Sequence, residues 1–348
     1  MQIDTNHPVL VTGANGYVAS WLVQRLLEEG LTVHATVRDP ANDAKVAHLK
    51  ALDEQLPGTL KLFAADLLTE GSFAAAMEGC RVVFHTASPF VVRGISDGEK
   101  DLIEPAVRGT RNVLGSADAT PSVHRVVLTS SVVAIYGDNA DARGRRLTEE
   151  DWNTTSTANH QPYPCSKTRA EHAAWEMARA QSRWDLVVVN PGLVLGPSLS
   201  QASNSESLAI LGDLVKGKLR TGVPKLDMGV VDVRDVAEAH LRAGFLPQAE
   251  GRHILVSETV SMLDLANIIR AEHGGRFKLP RNTVPKPLVW LVGPFQGISR
   301  RFVARNVGHP LAFDNRKSRE SLGLVYRPAQ QTVLEHLQQM LDDGVVRG

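Results

Sequence analysis

A tyrosine and a lysine four residues apart carry the most evident chemistry of this sequence. The stretch Tyr163-Pro-Cys-Ser-Lys167 leads into a strongly helical run over residues 168–179. If the helix includes both side chains, they share one face, and the lysine ammonium lowers the phenol pKa from its usual value of about 10. Tyr163 would then act as an acid or base near neutral pH. Taken alone, this spacing also occurs by chance in surface helices.

Two serines follow an upstream apolar segment and could complete this centre. Residues 125–129 have the pattern of a β-strand, and Ser130 and Ser131 come directly after it. Ligands of parallel α/β sheets bind at the carboxyl ends of the strands, so we expect these hydroxyls at the site. Ser131 is the candidate that hydrogen-bonds the substrate oxygen protonated by Tyr163. Ser130 is the competing candidate, with a strand-end cap as its structural alternative.

Short β-branched runs alternate with helical segments through the first half of the chain. The runs cover residues 8–12, 32–37, 60–64, 81–86, 125–129 and 186–190. The clearest helical pattern, residues 18–27, repeats apolar positions at i, i+3 and i+4. The strands are apolar on both faces, as in sheets covered by helices on both sides. The pattern predicts an α/β protein with a Rossmann-type doubly wound parallel sheet.

The second half of the chain predicts a smaller C-terminal substrate-binding lobe. We expect the nucleotide-binding domain to comprise residues 1–193 and 230–257, and the lobe to comprise residues 194–229 and 258–348. Residues 198–207 have loop composition. Helices are expected over 232–246 and 259–274, with a strand at 253–256. The pattern assigns no element to residues 275–312.

A glycine-containing turn joins the first predicted strand to the first helix. Gly13-Ala-Asn-Gly16-Tyr-Val-Ala19 has the spacing G-x-x-G-x-x-A, which allows a tight turn and a close backbone approach to a pyrophosphate. The following helix N-terminus offers free N–H groups and a positive dipole end. The loop predicts dinucleotide binding, and an ordinary strand–turn–helix is the alternative. The cofactor-binding residues expected here are Gly13, Asn15, Gly16, Tyr17 and Val18.

The end of the second predicted strand indicates which dinucleotide is bound. NAD enzymes usually place an acidic residue there for the ribose 2′-hydroxyl, whereas this chain has Arg38, followed by Lys45. Arginine and lysine fit a 2′-phosphate, so the cofactor is predicted to be NADPH/NADP+. Asp39 is a displaced acid that could still serve NAD. Asp66 and Leu67 follow the third strand and are expected at the adenine, with a helix N-cap as the alternative for Asp66.

Composition excludes several other functions. Lys and Arg number 38 and so do Asp and Glu, which gives zero formal charge and argues against nucleic-acid binding. The two cysteines lack neighbours at metal-ligand spacing, so no metal site is predicted, and their low number suits a reducing compartment. No signal-peptide pattern or membrane-spanning stretch stands out. We therefore expect a cytoplasmic protein that contacts neither nucleic acid nor a membrane. The catalytic residues, and not the composition, predict a small-molecule carbonyl substrate, and a monomer or homodimer is expected.

The combined motifs resemble the extended short-chain dehydrogenases/reductases. Within them, the chain is similar to the dihydroflavonol reductase group, and most of all to its microbial methylglyoxal-reductase-like members. The similarity rests on the motifs described above and on residues 85–90, 101–107, 125–131, 230–236 and 254–258. It extends over nearly the whole chain and is weakest over 275–312.

The resemblance implies NADPH-dependent reduction of aldehydes and ketones. It assigns Ser131 to the catalytic serine position, makes Tyr163 the proton donor and makes Lys167 the residue that grips the nicotinamide ribose. It places Asn112 beside a structural water, with a buried, satisfied helix asparagine as the equal alternative. The residues expected around the nicotinamide are Thr86, Ala87, Ser88, Pro191, Gly192 and Val194. Those expected at the substrate are Ser88, Phe90, Val132, Tyr136, His160 and Leu193, and for the last four simple packing is the favoured alternative.

Two departures separate the chain from the plant members of the group. Plant dihydroflavonol reductases carry an asparagine where this chain has Tyr136, and the segment from His160 to Cys165 lacks the motif of plant cinnamoyl-CoA reductases. The sequence thus favours the microbial aldehyde and ketone reductases. A NAD-dependent sugar-nucleotide epimerase or dehydratase remains an alternative, although Arg38 opposes it. A non-catalytic NADPH-sensing protein is another, and the retained Ser131, Tyr163 and Lys167 oppose it. His85 is expected to be structural.

Overall fold

The structure is a computed structural model that describes residues 1, 3–89, 96–200 and 206–346. Its strands are β1 (Val9–Val11), β2 (Thr32–Val37), β3 (Thr59–Ala64), β4 (Val82–His85), β5 (Arg125–Thr129), β6 (Asp185–Pro191), β7 (Leu193–Leu195), β8 (Val223–Pro224), β9 (Asp227–Asp232), β10 (Gly251–Leu255), β11 (Glu258–Ser261) and β12 (Thr283–Val284).

The α-helices are α1 (Tyr17–Glu28), α2 (Asp43–Gln55), α3 (Ala74–Met77), α4 (Glu104–Ala119), α5 (Pro162–Arg179), α6 (Glu206–Val215), α7 (Val233–Phe245), α8 (Met262–His273), α9 (Lys286–Val292), α10 (Arg300–Asn306), α11 (Arg316–Ser321) and α12 (Ala329–Asp342). A π-helical turn covers Glu99–Ile103, and 3₁₀ turns cover Val132–Ala134, Asn139–Ala142 and Gly293–Gln296. Along the described part of the chain, no helix has the length and apolar character needed to cross a bilayer.

Seven strands form the central sheet, and every neighbouring pair in it is parallel. Their order is β10-β6-β5-β4-β1-β2-β3, so the chain reverses its direction of winding between β1 and β4. Ligands of open α/β sheets bind outside the carboxyl ends of the strands at such a switch point. The six predicted strands of the first half and the predicted strand near residue 253 are all present, and the Rossmann-type fold is confirmed.

The strands are apolar on both faces because a separate core lies on each side of the sheet. Val9 and Val11 join one core, which α1, α2 and α7 cover, while Leu10 between them joins the other, which α3, α4 and α5 cover. Phe84 and Val83 of β4 divide in the same way. Side chains alternate across a strand, so a sheet buried on both faces needs apolar residues at every position.

A second sheet, in the order β11-β9-β7, accompanies the later part of the chain. Its residues pack with α6, α8 and α12 in a core of their own. The helix predicted over 259–274 begins only at Met262, because β11 pairs antiparallel with β9 and Ser261 then caps α8 through a capping box with Asp264. Residues 275–312, left without elements above, contain β12, α9 and α10. The proposed division into two domains stays a prediction.

Candidate active site

The glycine turn lies at the switch point of the sheet. Gly13 has a φ of +63°, and a Cβ there would lie 3.0 Å from the Cβ of Ala87, so β1 approaches the segment after β4 closely. Gly16 is the N-cap of α1 and brings no capping side chain, which leaves the first N–H groups of the helix available. A pyrophosphate fits such an uncapped helix N-terminus. Asn15, Tyr17 and Val18 stay predicted cofactor contacts.

Thr12 ties the ends of β1 and β4 together, a role that the sequence did not reveal. Its Oγ1 accepts hydrogen bonds from the backbone N–H groups of Thr86 at 3.1 Å and Ala87 at 3.0 Å, and lies 3.0 Å from His85 Nδ1. The Thr86 hydroxyl donates to the Thr12 carbonyl. These bonds hold residues 86–87, the predicted nicotinamide contacts, against the glycine turn.

The cations at the end of β2 are available to a ligand. Arg38 and Lys45 are exposed, and neither forms an ion pair with a residue that the structure describes. Asp39, the displaced acid, accepts a hydrogen bond from the backbone N–H of Ala41 at 3.0 Å and so belongs to its own turn. This arrangement suits a 2′-phosphate better than a ribose hydroxyl.

The turn after β3 is held by its own hydrogen bonds. Asp66 Oδ1 accepts from the N–H of Leu68 at 2.8 Å, and Asn112 on α4 reaches the same turn. The Asn112 amide donates to the carbonyls of Leu67 at 3.0 Å and Thr69 at 2.6 Å and accepts from the N–H of Gly71 at 3.0 Å. Asn112 is thus hydrogen-bonded within the protein but only half-buried, and its contact with a structural water stays a prediction. The adenine contacts of Asp66 and Leu67 stay predictions.

Helix α5 includes both residues of the tyrosine–lysine pair. It begins at Pro162, earlier than the sequence pattern indicated, so Tyr163 and Lys167 lie on successive turns of one helix. The helix packs against the 3₁₀ turn that follows Ser131, which joins the pair to the end of β5. The three predicted catalytic residues thus come from two adjoining elements at the carboxyl edge of the sheet.

The two serines after β5 differ in what they contact. Ser130 is buried and donates its hydroxyl to Glu171 Oε2 at 2.5 Å. Ser131 is half-buried, and its Oγ has only longer contacts, 3.4 Å to the Pro191 carbonyl and 3.3 Å to the N–H of Val133. The Ser130 hydroxyl is therefore committed to the protein, and the geometry favours Ser131 as the hydroxyl that meets a substrate.

Lys167 lies in an environment that disfavours its charge. Burial lowers the pKa of its ammonium to about 8, and the negative charge of Glu171 opposes that shift. His85, at the end of β4, is buried, and burial together with the charge of Lys167 lowers its pKa to about 3. His85 is thus neutral at physiological pH and hydrogen-bonded to Thr12, which matches its expected structural role. Lys167 makes no hydrogen bond with the described residues, so its donors can meet a ribose.

The segment after β6 is shaped by close packing. A Cβ at Gly192 would lie 2.4 Å from the carbonyl oxygen of Gly229, so only glycine fits directly before β7, which pairs in parallel with β9. Tyr17 Oη donates to the Gly196 carbonyl at 2.6 Å, which ties α1 to this segment, and burial raises the pKa of that phenol well above its usual value. Pro191, Gly192 and Val194 stay predicted nicotinamide contacts.

The predicted substrate residues have unequal access to solvent. Val132 is buried in a cluster with Phe313, and the Tyr136 ring packs edge-on against Phe313 at 5.7 Å. His160 is buried, and its Nε2 lies 3.0 Å from Asp138 Oδ2. Packing for Val132 and Tyr136 and the Asp138 contact for His160 account for these positions without a ligand, and their place at the substrate stays a prediction. Leu193 and Ser88 are partly exposed and stay predictions, and Phe90 lies outside the described residues.

Fold and site together define a class: a dinucleotide-binding α/β protein with a serine, tyrosine and lysine at the carboxyl edge of its sheet. The model of the NAD dependent epimerase/dehydratase family matches residues 9–256, and the chain belongs to that family, the extended short-chain dehydrogenases/reductases. The family model alone does not separate the reductases from the epimerases.

Several similar proteins are named as reductases. The cinnamoyl-CoA reductase CAD2 of Medicago truncatula is 38% identical over 336 residues, 95% of each chain. The (2S)-flavan-3-ol-forming anthocyanidin reductase of Vitis vinifera is 37% identical over 293 residues, 79% of this chain and 85% of that one. The solved yeast methylglyoxal/isovaleraldehyde reductase Gre2, complexed with NADPH, is 28% identical, with a TM-score of 0.79 over 97% of this chain and 100% of that one.

Proposed function

We propose that this chain is an NADPH-dependent reductase that converts an aldehyde or ketone to an alcohol, with Tyr163 as the proton donor. The observation that carries the proposal is the end of β5. Ser130 is bonded to Glu171, whereas Ser131 remains available beside the helix that carries Tyr163 and Lys167. A carbonyl oxygen that gains negative charge needs donors of this kind.

NADPH is the cofactor in this proposal. The uncapped N-terminus of α1 would hold the pyrophosphate, and the exposed Arg38 and Lys45 would hold the 2′-phosphate. The NADPH complex of yeast Gre2 supports the assignment. When bound, NADPH supplies the hydride.

The protein's own residues then handle the proton. Ser131 Oγ and Tyr163 Oη donate hydrogen bonds to the carbonyl oxygen and stabilise the negative charge that develops on it. Tyr163 gives its proton to that oxygen, and the ammonium of Lys167, one turn away, stabilises the resulting phenolate. This use of Lys167 requires its charge, so reduction should slow as the pH rises through the lysine's pKa of about 8.

The substrate class is the finer part of the proposal. The relatives described above are named for the reduction of cinnamoyl-CoA, an anthocyanidin, and methylglyoxal or isovaleraldehyde. Tyr136 and the segment from His160 to Cys165 depart from the plant motifs and favour small aldehydes and ketones. A cytoplasmic location belongs to the same proposal, since both cysteines are free and buried, which suits a reducing compartment.

The test is NADPH and NADH oxidation by the purified protein against aliphatic, aromatic and dicarbonyl compounds and one CoA thioester. We expect NADPH-linked turnover of aldehydes or ketones. Tyr163→Phe should lower kcat by roughly 10²–10⁴-fold, the usual contribution of a positioned general acid.

Other outcomes would contradict the proposal. Faster turnover with NADH would reverse the cofactor assignment. Tightly bound NAD with no net oxidation would indicate the epimerase alternative, and NADPH binding without turnover of any carbonyl would indicate the sensing protein.

A further inference from the structure

A buried carboxylate lies directly behind the proposed catalytic residues. Tyr163, Lys167 and Glu171 occupy successive turns of α5, and Glu171 is fully buried. Its Oε2 accepts hydrogen bonds from Ser130 Oγ at 2.5 Å and from Asn190 Nδ2 at 3.0 Å. The Asn190 amide nitrogen also donates to the backbone carbonyl of Ser131 at 3.1 Å. Glu171 thus contacts the peptide that bears Ser131 through two intermediaries.

The other oxygen of this carboxylate has partners of its own. Glu171 Oε1 accepts from Arg252 Nε at 2.6 Å and from Trp175 Nε1 at 3.3 Å. Arg252 in turn lies over the ring of Trp152, 3.8 Å from its centroid, and donates to the carbonyls of Glu149 and Asp151. A buried ion pair is costly to assemble and often stabilises no more than apolar packing would. A function beyond stability would explain why this charge lies here.

We propose that Glu171 is a positioning residue of the reductase centre: it fixes the end of β5 that bears Ser131 and keeps a negative charge one helical turn from Lys167. This inference rests on the proposed function, because it assigns Ser131 and Lys167 their parts in carbonyl reduction. Glu171 itself touches neither substrate nor cofactor and acts through Ser130, Asn190 and Lys167.

Among the residues that the structure describes, Glu171 is the charged group that shifts the pKa of Lys167. Tyr163 lies on α5, the same helix as Lys167. His85 on β4 is neutral at physiological pH, and Arg252 on β10 contacts Glu171. The π-helical turn and α4 direct Glu99 and Arg111 to the exposed side of α5, where they pair with Arg169 and Glu176. Asp185 of β6 pairs with Arg125 at the opposite end of the strands.

Glu171 therefore has a pH signature that a purely structural residue would lack. Its charge raises the pKa of Lys167 against the effect of burial. Removing the charge lowers that pKa further, so Lys167 loses its proton at lower pH and the alkaline limb of the kcat/KM profile moves to lower pH.

The experiment compares Glu171→Gln with Glu171→Asp and with a matched control, Asp235→Asn. Asp235 is also a buried carboxylate paired with an arginine, Arg327, but its contacts lie on α7 and the C-terminal segment. The pKa of Lys167 is measured from its rate of acetylation by acetic anhydride across pH, read by mass spectrometry. Turnover with NADPH gives kcat, KM and the pH profile.

We expect Glu171→Gln to lower the pKa of Lys167 and to move the alkaline limb of the kcat/KM profile to lower pH. The same variant should reduce kcat roughly tenfold or more with little change in KM for NADPH. Glu171→Asp keeps the charge and should restore the lysine pKa, but its shorter side chain should leave kcat low. Asp235→Asn should lower Tm and change neither property.

An unchanged Lys167 pKa in Glu171→Gln, or an equal shift in Asp235→Asn, overturns the inference. The acetylation readout needs no turnover, so failure of the wild type to reduce any carbonyl contradicts the proposed function separately.

If Glu171→Gln does not fold, Ser130→Ala, which keeps the Glu171–Arg252 pair, tests the contact to β5. A severalfold loss of kcat with an unchanged lysine pKa is expected, and wild-type kcat would overturn the inference.

Discussion

Two neighbouring hydroxyls of the same chemical type have separate uses at the end of β5. Ser130 points into the interior and meets a carboxylate, whereas Ser131 remains half-buried with only long contacts. Adjacent residues of an extended segment point in opposite directions, so one serine necessarily faces the core when the other faces the site. The extended backbone that continues beyond β5 at Ser131 therefore accounts for the difference between them.

The serine pair gives a residue-scale prediction. Ser131→Ala should lower kcat/KM by roughly 10²–10³-fold with little change in Tm, because it removes one donor to the developing oxyanion. Ser130→Ala should lower kcat only severalfold and cost roughly 1–3 kcal/mol of stability, because it leaves a buried acceptor without one partner. Kinetics and thermal unfolding of both variants check this. The reverse ranking in kcat/KM would assign the substrate hydroxyl to Ser130.

At the scale of elements, the β1–α1 turn and the segment after β4 form one unit. Thr12 bonds to residues 86–87, and Gly13 brings the two backbones into contact. A side chain at Gly13 would meet both unfavourable backbone geometry and Ala87. The free N–H groups of α1 are therefore held at a fixed distance from the expected nicotinamide site.

Gly13→Ala should weaken NADPH binding tenfold or more and cost about 1–2 kcal/mol of stability, the usual price of a left-handed residue with a Cβ. Gly30→Ala is the matched control, because Gly30 has a φ of +76° and nothing within 4 Å of a built Cβ. The control should show the backbone cost alone and bind NADPH as the wild type does. Fluorescence titration and thermal unfolding measure both, and equal NADPH affinities in the two variants would remove the turn from the cofactor site.

The features of the fold and site that depend on local sequence pattern could be predicted. The alternation of strand and helix periods revealed the sheet, and the spacing of Tyr163 and Lys167 revealed their shared face. The sequence could not reveal the contacts of Glu171, because its partner Arg252 is 81 residues away. Nor could it reveal that Asn190 donates a hydrogen bond to Glu171. A single acid on the buried side of a helix was the only available signal. Likewise, nothing local shows that β11 pairs antiparallel with β9.

At the scale of the whole molecule, long-range bonds join the sheet to the later part of the chain. Tyr17 and Trp21 of α1 donate to the carbonyls of Gly196 and Pro197. The helix that would bind the pyrophosphate is thus anchored to the segment expected beside the nicotinamide. The predicted pyrophosphate and nicotinamide contacts are therefore expected to keep a fixed spacing.

The most direct test of this account is the fate of the transferred hydrogen. With NADPH deuterated at the transferring position of C4, a reduced aldehyde or ketone should carry one deuterium on the carbinol carbon, as read by mass spectrometry. In Tyr163→Phe, the amount of deuterated alcohol formed should fall in proportion to turnover. Deuterium that remains on the cofactor while the substrate is isomerised or dehydrated would contradict the account and assign the chain to the epimerase branch.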